Sequence, residues 1–205
     1  MLRKALTLAL PMMLLPGLAF AQRFEVTPFV GYRFGGEIEN ADFQEERFDF
    51  EDDNSLGLIL DIAVNENAFV EILVSAQETT LQDDRGFFGD QPLFEIDVNY
   101  LHIGGLYQWK IREGVKPFVV ATLGVTDFEP QAAGLSGESF FSVGIGGGVK
   151  LMLAKNIGFR FEARGYSTVL DADDESFCDP HHCYRYDDGT YLWQFEAGAG
   201  LILAF

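Results

Sequence analysis

The carboxyl-terminal segment 190–205 restricts the folds open to this chain more than any other, because its side chains alternate strictly in character. The apolar positions are Tyr191, Trp193, Phe195, Ala197, Ala199, Leu201, Leu203 and Phe205. The intervening positions include Gln194, Glu196, Gly198 and Gly200. A period of two sustained over this length predicts a β-strand with one apolar and one polar face.

The amino-terminal segment 1–21 has the features of a secretory signal peptide. Arg3 and Lys4 precede an apolar run at 5–15, and an Ala-Phe-Ala cleavage motif ends at residue 21. The run is short for a membrane-spanning helix. We therefore expect the chain to be exported and residues 22–205 to form the mature domain.

The charge of the chain is strongly negative and unevenly distributed. The formal charge of −18 becomes −20 once Arg3 and Lys4 are removed. Of the 32 acidic residues, 23 lie in the four stretches 36–54, 78–92, 127–138 and 171–190. Such a charge opposes compaction unless the acids lie in solvated loops. A strongly acidic total also argues against nucleic acid as a partner.

Alternating segments and connections of two lengths organise the mature chain. Eight alternating segments are predicted, at about 23–35, 55–64, 68–79, 93–109, 117–128, 139–153, 157–169 and 190–205. Long connections at 36–54, 80–92, 129–138 and 171–189 alternate with short ones at 65–67, 110–116 and 154–156. Phe48 and Phe50 continue the alternation of the second segment, which predicts that the second strand projects beyond a membrane. This combination is typical of an eight-stranded transmembrane β-barrel with short turns at one end and long loops at the other.

The mature chain resembles the small OmpA/OmpX-type outer-membrane β-barrel family over about residues 22–205. The segments that carry the resemblance are 26–32 (VTPFVGY), 100–107 (YLHIGGLY), 116–124 (KPFVVATLG) and the closing strand to Phe205. The resemblance implies an all-β, eight-stranded, antiparallel up-and-down barrel in the outer membrane of a Gram-negative-type cell. It also implies contact with outer-membrane lipid and lipopolysaccharide. Phe205 would then be the assembly signal for the barrel-assembly machinery.

Charged residues on the polar faces of the strands predict an ion-pair network inside the barrel. The expected members are Arg33, Asp61, Glu71, Arg160, Glu162, Arg164 and Glu196, with Glu25, Glu95, Asp97 and Lys150 also expected to point inward. An eight-stranded barrel is only wide enough for side chains to fill it, so these charges are expected to plug the lumen. The alternative is a narrow pore that favours cations, since seven of these residues are acidic and four are basic.

The last long loop carries both cysteines, in the sequence Cys178-Asp-Pro-His-His-Cys183. Two Cys and two His form a possible zinc set, but adjacent His181 and His182 suit a tetrahedral site poorly. An exported protein favours a disulfide between Cys178 and Cys183. The acid clusters of the loops match no EF-hand motif. We therefore expect no metal site and no cofactor.

The predicted role is structural or concerns surface interaction, with the acidic extracellular loops as the working surface for an extracellular ligand. A cation-conducting pore is the first alternative, and a lipid-modifying enzyme is the second. An enzyme would need a His with a Ser or carboxylate partner, and the sequence assigns His102 no such partner. We therefore predict no catalytic activity and no catalytic residue.

Overall fold

The computed structural model describes residues 24–39, 47–83, 91–131, 137–170 and 190–205. These residues form ten β-strands. In chain order they are β1 (Phe24–Phe34), β2 (Glu37–Glu39), β3 (Arg47–Phe50), β4 (Asp53–Ala63), β5 (Ala68–Asp83), β6 (Gln91–Gln108), β7 (Val115–Pro130), β8 (Glu138–Met152), β9 (Ile157–Leu170) and β10 (Thr190–Ala204). In this part of the chain no helix is long and apolar enough to cross a membrane.

Eight of the strands close into one antiparallel barrel, which confirms the predicted architecture. Around the ring the order is β4, β1, β10, β9, β8, β7, β6 and β5, and β5 pairs again with β4. The first and last barrel strands meet, with Val30 opposite Ala199 and Arg33 opposite Glu196. Each barrel strand pairs with two neighbouring strands, so no open sheet edge faces lipid.

The two faces of the wall follow the alternation of the sequence. On β10, Tyr191 and Trp193 are exposed on the outside, while Leu192 and Gln194 are buried in the interior. The structure also confirms the outward face predicted for β7, which is exposed at Val119, Ala121, Leu123 and Val125. The outside of the barrel is therefore an apolar band, and the interior is a packed mixture of polar and apolar side chains.

Three tight turns join the strands at one end of the barrel. In the first, the side-chain Oδ1 of Asn65 accepts hydrogen bonds from the backbone N–H groups of Asn67 and Ala68, both at 2.9 Å. In the second, Gly114 has φ 77°, a left-handed conformation that a residue with a Cβ rarely adopts. These local features fix the short-turn end, whereas the strand ends that lead into the longer connections lie at the opposite end.

The strands of the β5–β6 hairpin are longer than the sequence predicts. β5 continues to Asp83 and β6 begins at Gln91, and these two residues still pair. β3 adds to the same extension, with Phe48 opposite Asp83. This pairing places β3 beyond β4 on the edge of β5, as predicted for Phe48 and Phe50. Apolar alternation marks only the part of a strand that faces lipid, so it ends before the hydrogen-bonded ladder ends.

The predicted inward orientation of Glu95 and Asp97 is wrong. On this part of β6 the buried side chains are Ile96, Val98 and Tyr100, so Glu95 and Asp97 lie on the outer face. Glu95 and Asp97 lie beyond the apolar band, where the outer face of the strand meets water and polar side chains are favoured. Nearer the short-turn end of β6, the same outer face carries Leu101 and Ile103, which are apolar and exposed.

Candidate functional site

The interior of the barrel contains a chain of ion pairs that starts near the short-turn end. The ammonium Nζ of Lys150 lies 2.6 Å from Glu25 Oε2 and 2.8 Å from Asp61 Oδ2. It also lies 4.7 Å from the centre of the Phe69 ring. Lys150 is on β8, whereas Glu25 and Asp61 are on β1 and β4, so the contacts cross the lumen. They connect opposite walls of the barrel.

Arg160 on β9 extends the chain of ion pairs. Its guanidinium lies 3.0 Å from Asp61, 2.6 Å from Glu71 and 2.6 Å from Glu162. Arg164 continues it, with Nη2 2.6 Å from Glu71 Oε1 and a second contact to Glu162. Asp61 is thus shared between bases on two strands, and Glu71 and Glu162 each contact both arginines of β9. Since desolvated charges are tolerated only when paired and hydrogen-bonded, the network is an interdependent unit.

Arg33 forms a separate charged layer nearer the long-loop end. Its Nη2 donates to Glu196 Oε2 at 2.8 Å and to Ser75 Oγ at 2.5 Å. The guanidinium carbon lies 4.6 Å from the centre of the Tyr100 ring, and that ring stacks on Tyr166 with a centroid distance of 4.2 Å. Glu196, which was predicted to belong to the network, therefore lies beside Arg33 and away from the ion pairs of Lys150.

His102 packs against the stacked rings of Tyr100 and Tyr166, with ring-centroid distances of 5.5 and 5.4 Å. Its Nδ1 is 2.9 Å from Thr122 Oγ1, and its Nε2 is 2.9 Å from Ser142 Oγ. The side chain is 1% exposed. The sequence did not reveal this Ser–His contact, because Ser142 is on β8 and reaches β6 only across the lumen.

An apolar cluster fills the lumen toward the long-loop end. Its buried members include Ile96, Val98, Phe128, Phe140, Leu170 and Leu192. Between this cluster and the Lys150 layer, the void bordered by Arg160, Arg164 and Glu196 has a volume of only about 20 Å³. That is room for about one water molecule. At this level the described lumen is therefore packed, whereas a cavity of about 900 Å³ bordered by Glu25, Phe69 and Gln108 opens at the short-turn end.

The charge balance inside the barrel is closer to neutral than the sequence predicts. With Glu95 and Asp97 outside, the acids that contact the described interior network are Glu25, Asp61, Glu71, Glu162 and Glu196. Four bases, Arg33, Lys150, Arg160 and Arg164, face them. The charge of the described network is therefore almost compensated.

Carboxylates form a row on the outer face of the extended β5–β6–β7 sheet. Glu78 is directly opposite Asp97, and Asp97 is directly opposite Glu129. Asp97 accepts hydrogen bonds from Gln131 Nε2 at 3.1 and 3.2 Å. Like charges directly opposite each other destabilise a sheet. This row is a feature that the sequence did not predict, since Asp97 was assigned to the lumen.

The cysteine loop and most of the acid-rich connections lie outside the described residues. The predicted Cys178–Cys183 disulfide stays a prediction for that reason. Within the described ranges, no group of three or more His, Cys, Asp or Glu side chains is placed to hold a metal ion.

Phe205 lies where the barrel closes at the short-turn end. Its N–H donates to the carbonyl of Phe24 at 2.9 Å, and its side chain is 68% exposed on the outside. The backbone of the last residue thus pairs with the first barrel strand, while its ring projects from the outside of the barrel.

Deletion of Phe205 is expected to reduce the amount of barrel assembled in cells to about a tenth, because it removes an exposed anchor and a seam hydrogen bond. The measurement is the fraction of protein with the faster electrophoretic mobility of an unheated, folded barrel. Replacement of Leu203 by alanine, which shortens an outward residue of the same strand, is the control. Equal assembly of the deletion and the intact chain would contradict an assembly role for Phe205.

Comparison with known proteins places this geometry among bacterial outer-membrane barrels. The family model described as outer membrane protein beta-barrel domain matches residues 7–201. The comparison with curated proteins gives no match.

Solved structures with a similar fold include outer membrane protein OprG from Pseudomonas aeruginosa. It is 15% identical, with a TM-score of 0.62 over 89% of this chain and 96% of that chain. Neisserial surface protein A is 12% identical, with a TM-score of 0.59 over 89% of this chain and 97% of that chain. At these identities the likeness concerns the fold alone.

Proposed function

The chain belongs to the outer membrane protein β-barrel family and is located in the outer membrane, and from this premise we propose that it acts through its acidic extracellular face. The proposed role is a structural and surface-interaction protein whose partner carries positive charge. The short turns then face the periplasm and the long connections face the outside of the cell. The packed lumen is the observation that carries the proposal, because a blocked interior leaves the exposed surface as the part that can bind a partner.

Conduction would require the interior to rearrange. An ion entering from the periplasm meets the Lys150 pairs, then the layer of Arg160 and Arg164, and then the Arg33 layer. Beyond them, the apolar cluster at Phe128 and Phe140 offers no ligand for a hydrated ion. These layers support a closed barrel rather than a cation-conducting pore.

The geometry around His102 also supports a role without catalysis. Nucleophilic chemistry needs a base within reach of both the nucleophile and a substrate. Ser142 is within reach of His102, but both side chains are buried inside the lumen. A lipid substrate at the outer surface cannot reach them while the apolar cluster is in place.

The row formed by Glu78, Asp97 and Glu129 is the part of the proposed interaction surface that the structure describes. It lies beyond the apolar band, at the end where the strands lead into the acid-rich connections. A row of opposed carboxylates costs stability in the free protein, and a cationic partner removes that cost. Complementary charge across an interface raises the association rate and selects against anionic partners.

The test uses purified protein in neutral detergent micelles, which leave both ends of the barrel accessible to fluorescent polylysine. We expect the double variant Glu78→Gln, Glu129→Gln to bind about threefold more weakly, the effect of two solvent-exposed charges at roughly 0.3–0.5 kcal/mol each. The matched control, Glu66→Gln with Glu113→Gln, removes the same charge at the periplasmic end. Equal weakening by both double variants would contradict the proposed surface.

Two further measurements separate the alternatives. In planar bilayers we expect the wild-type protein to give no steady current at any voltage, and a cation-selective current would overturn the closed barrel. Expression in cells is expected to leave the mass of lipid A unchanged. A mass shift that disappears in the Ser142→Ala variant would establish an enzyme.

A further inference from the structure

A concave groove crosses the outer surface where the first and last barrel strands meet. Its walls are formed by Pro28, Val30 and Leu56 on one side, and by Phe159, Phe161 and Leu201 on the other. Phe29, Gly57, Ala199 and Gly200 also border it, and its volume is about 570 Å³. Volumes of this size are typical of sites that bind small molecules. All the bordering side chains are apolar.

The groove lies over a break in the closing seam of the barrel. β1 and β10 pair at Val26 with Leu203 and again at Phe29 with Gly200, but the intervening pairs are missing. The break includes Pro28, which has no backbone N–H to donate. On the other side of β1 the pairing with β4 is continuous, with Pro28 opposite Leu58. The seam is therefore weakest directly under the groove.

The position of the groove determines the chemistry of its occupant. It is continuous with the lipid-facing surface, and it lies nearer to Phe205 than to Tyr191 along β10. On β1, Pro28 and Val30 lie midway between Phe24 and Phe34, so the groove lies near the middle of the apolar band. No water is present in the hydrocarbon layer to fill a concavity. An empty one would forfeit the dispersion contacts of the side chains that line it.

We propose that one acyl chain of a membrane phospholipid occupies this groove and holds the closing seam together. The chain contacts the walls contributed by β1 and β4 on one side and by β9 and β10 on the other. It thereby supplies packing across the seam where the backbone hydrogen bonds are missing. This lipid site is independent of the proposed extracellular interaction surface.

Ala199 gives a direct test, because its exposed methyl group lies between Val30 and Phe161 in the strand register. The Ala199→Phe variant places a ring in the groove without burying a new side chain in the lumen. Ala121→Phe is the matched control, since Ala121 is equally exposed on β7 in the opposite wall. The variants and the wild type are purified from outer membranes in mild detergent and compared by native mass spectrometry.

We expect the wild-type protein and Ala121→Phe to retain one phospholipid per barrel. The occupancy in Ala199→Phe is expected to fall about tenfold, because the ring takes the place of the packed chain. Equal retention in all three proteins would overturn the proposal. Retention of lipid A alone by the wild type, or a dimer in place of bound lipid, would also overturn it.

A second variant keeps the test decisive if Ala199→Phe fails to fold. Phe159→Ala with Phe161→Ala removes one wall of the groove on the lipid-facing side and leaves the lumen unchanged. We expect this double variant to lose the phospholipid to a similar degree. Undiminished binding in this variant would also contradict the assigned groove.

Discussion

The Arg160→Ala variant is expected to lose about 3–5 kcal/mol of the free energy of unfolding, the usual cost of removing one partner from a buried ion-pair network. The guanidinium of Arg160 lies within 3.0 Å of Asp61 and 2.6 Å of both Glu71 and Glu162. Without it, three carboxylates remain close together in the packed interior. Lys150 and Arg164 compensate only part of their charge.

Urea unfolding in lipid vesicles measures this loss, from the midpoint and the slope of the transition. Arg112→Ala is the control, because Arg112 is an exposed residue of a periplasmic turn and has the same side chain. We expect the control to change stability by less than about 0.5 kcal/mol, as is usual at the surface. Similar losses in both variants would show that the network contributes little to stability.

A double-mutant cycle tests whether the network acts as a unit. Glu162→Gln removes one charge that Arg160 compensates, so it is expected to recover part of the loss caused by Arg160→Ala. The interaction energy of residues in one network is about 0.5–3 kcal/mol. Strict additivity of the two substitutions would contradict the coupling that the structure shows geometrically.

The adjacent glycines of β6 are expected to respond very differently to alanine. A Cβ on Gly104 would collide with the carbonyl oxygen of Ala121 and lie 2.6 Å from Thr122 Cα. Both are backbone atoms of the next strand, so the wall itself would have to move. A Cβ on Gly105 would meet nothing within 4 Å, because this position faces outward.

We expect Gly104→Ala to destabilise the barrel by about 3 kcal/mol, the upper end of the usual cost of overpacking. Gly105→Ala is expected to be neutral, or stabilising by about 0.4–1 kcal/mol, because alanine restricts the unfolded chain. Urea unfolding of the two variants beside the wild type provides the comparison. A stable Gly104→Ala barrel would mean that β6 and β7 can separate at little cost.

The membrane-facing part of each strand was predictable, whereas the part beyond the membrane was not. Leu56 and Phe159 face outward as the alternation predicts, because hydrocarbon is the only environment on that side. The same reasoning failed at Glu95 and Asp97. There the outer face meets water and the inner face packs in an apolar cluster, so the polarity of the two faces is reversed.

The sequence by itself determined the eight strands, their closure, the compartment and most inward and outward positions. These properties follow from the period of two and from connection length, which are local features of the chain. Only the tertiary structure decided the partners within the lumen and the groove at the seam. The stagger of the strands sets which side chains share one level of the barrel. That stagger brings Lys150 to Glu25 and Arg160 to Glu71, across the lumen and far apart in the chain.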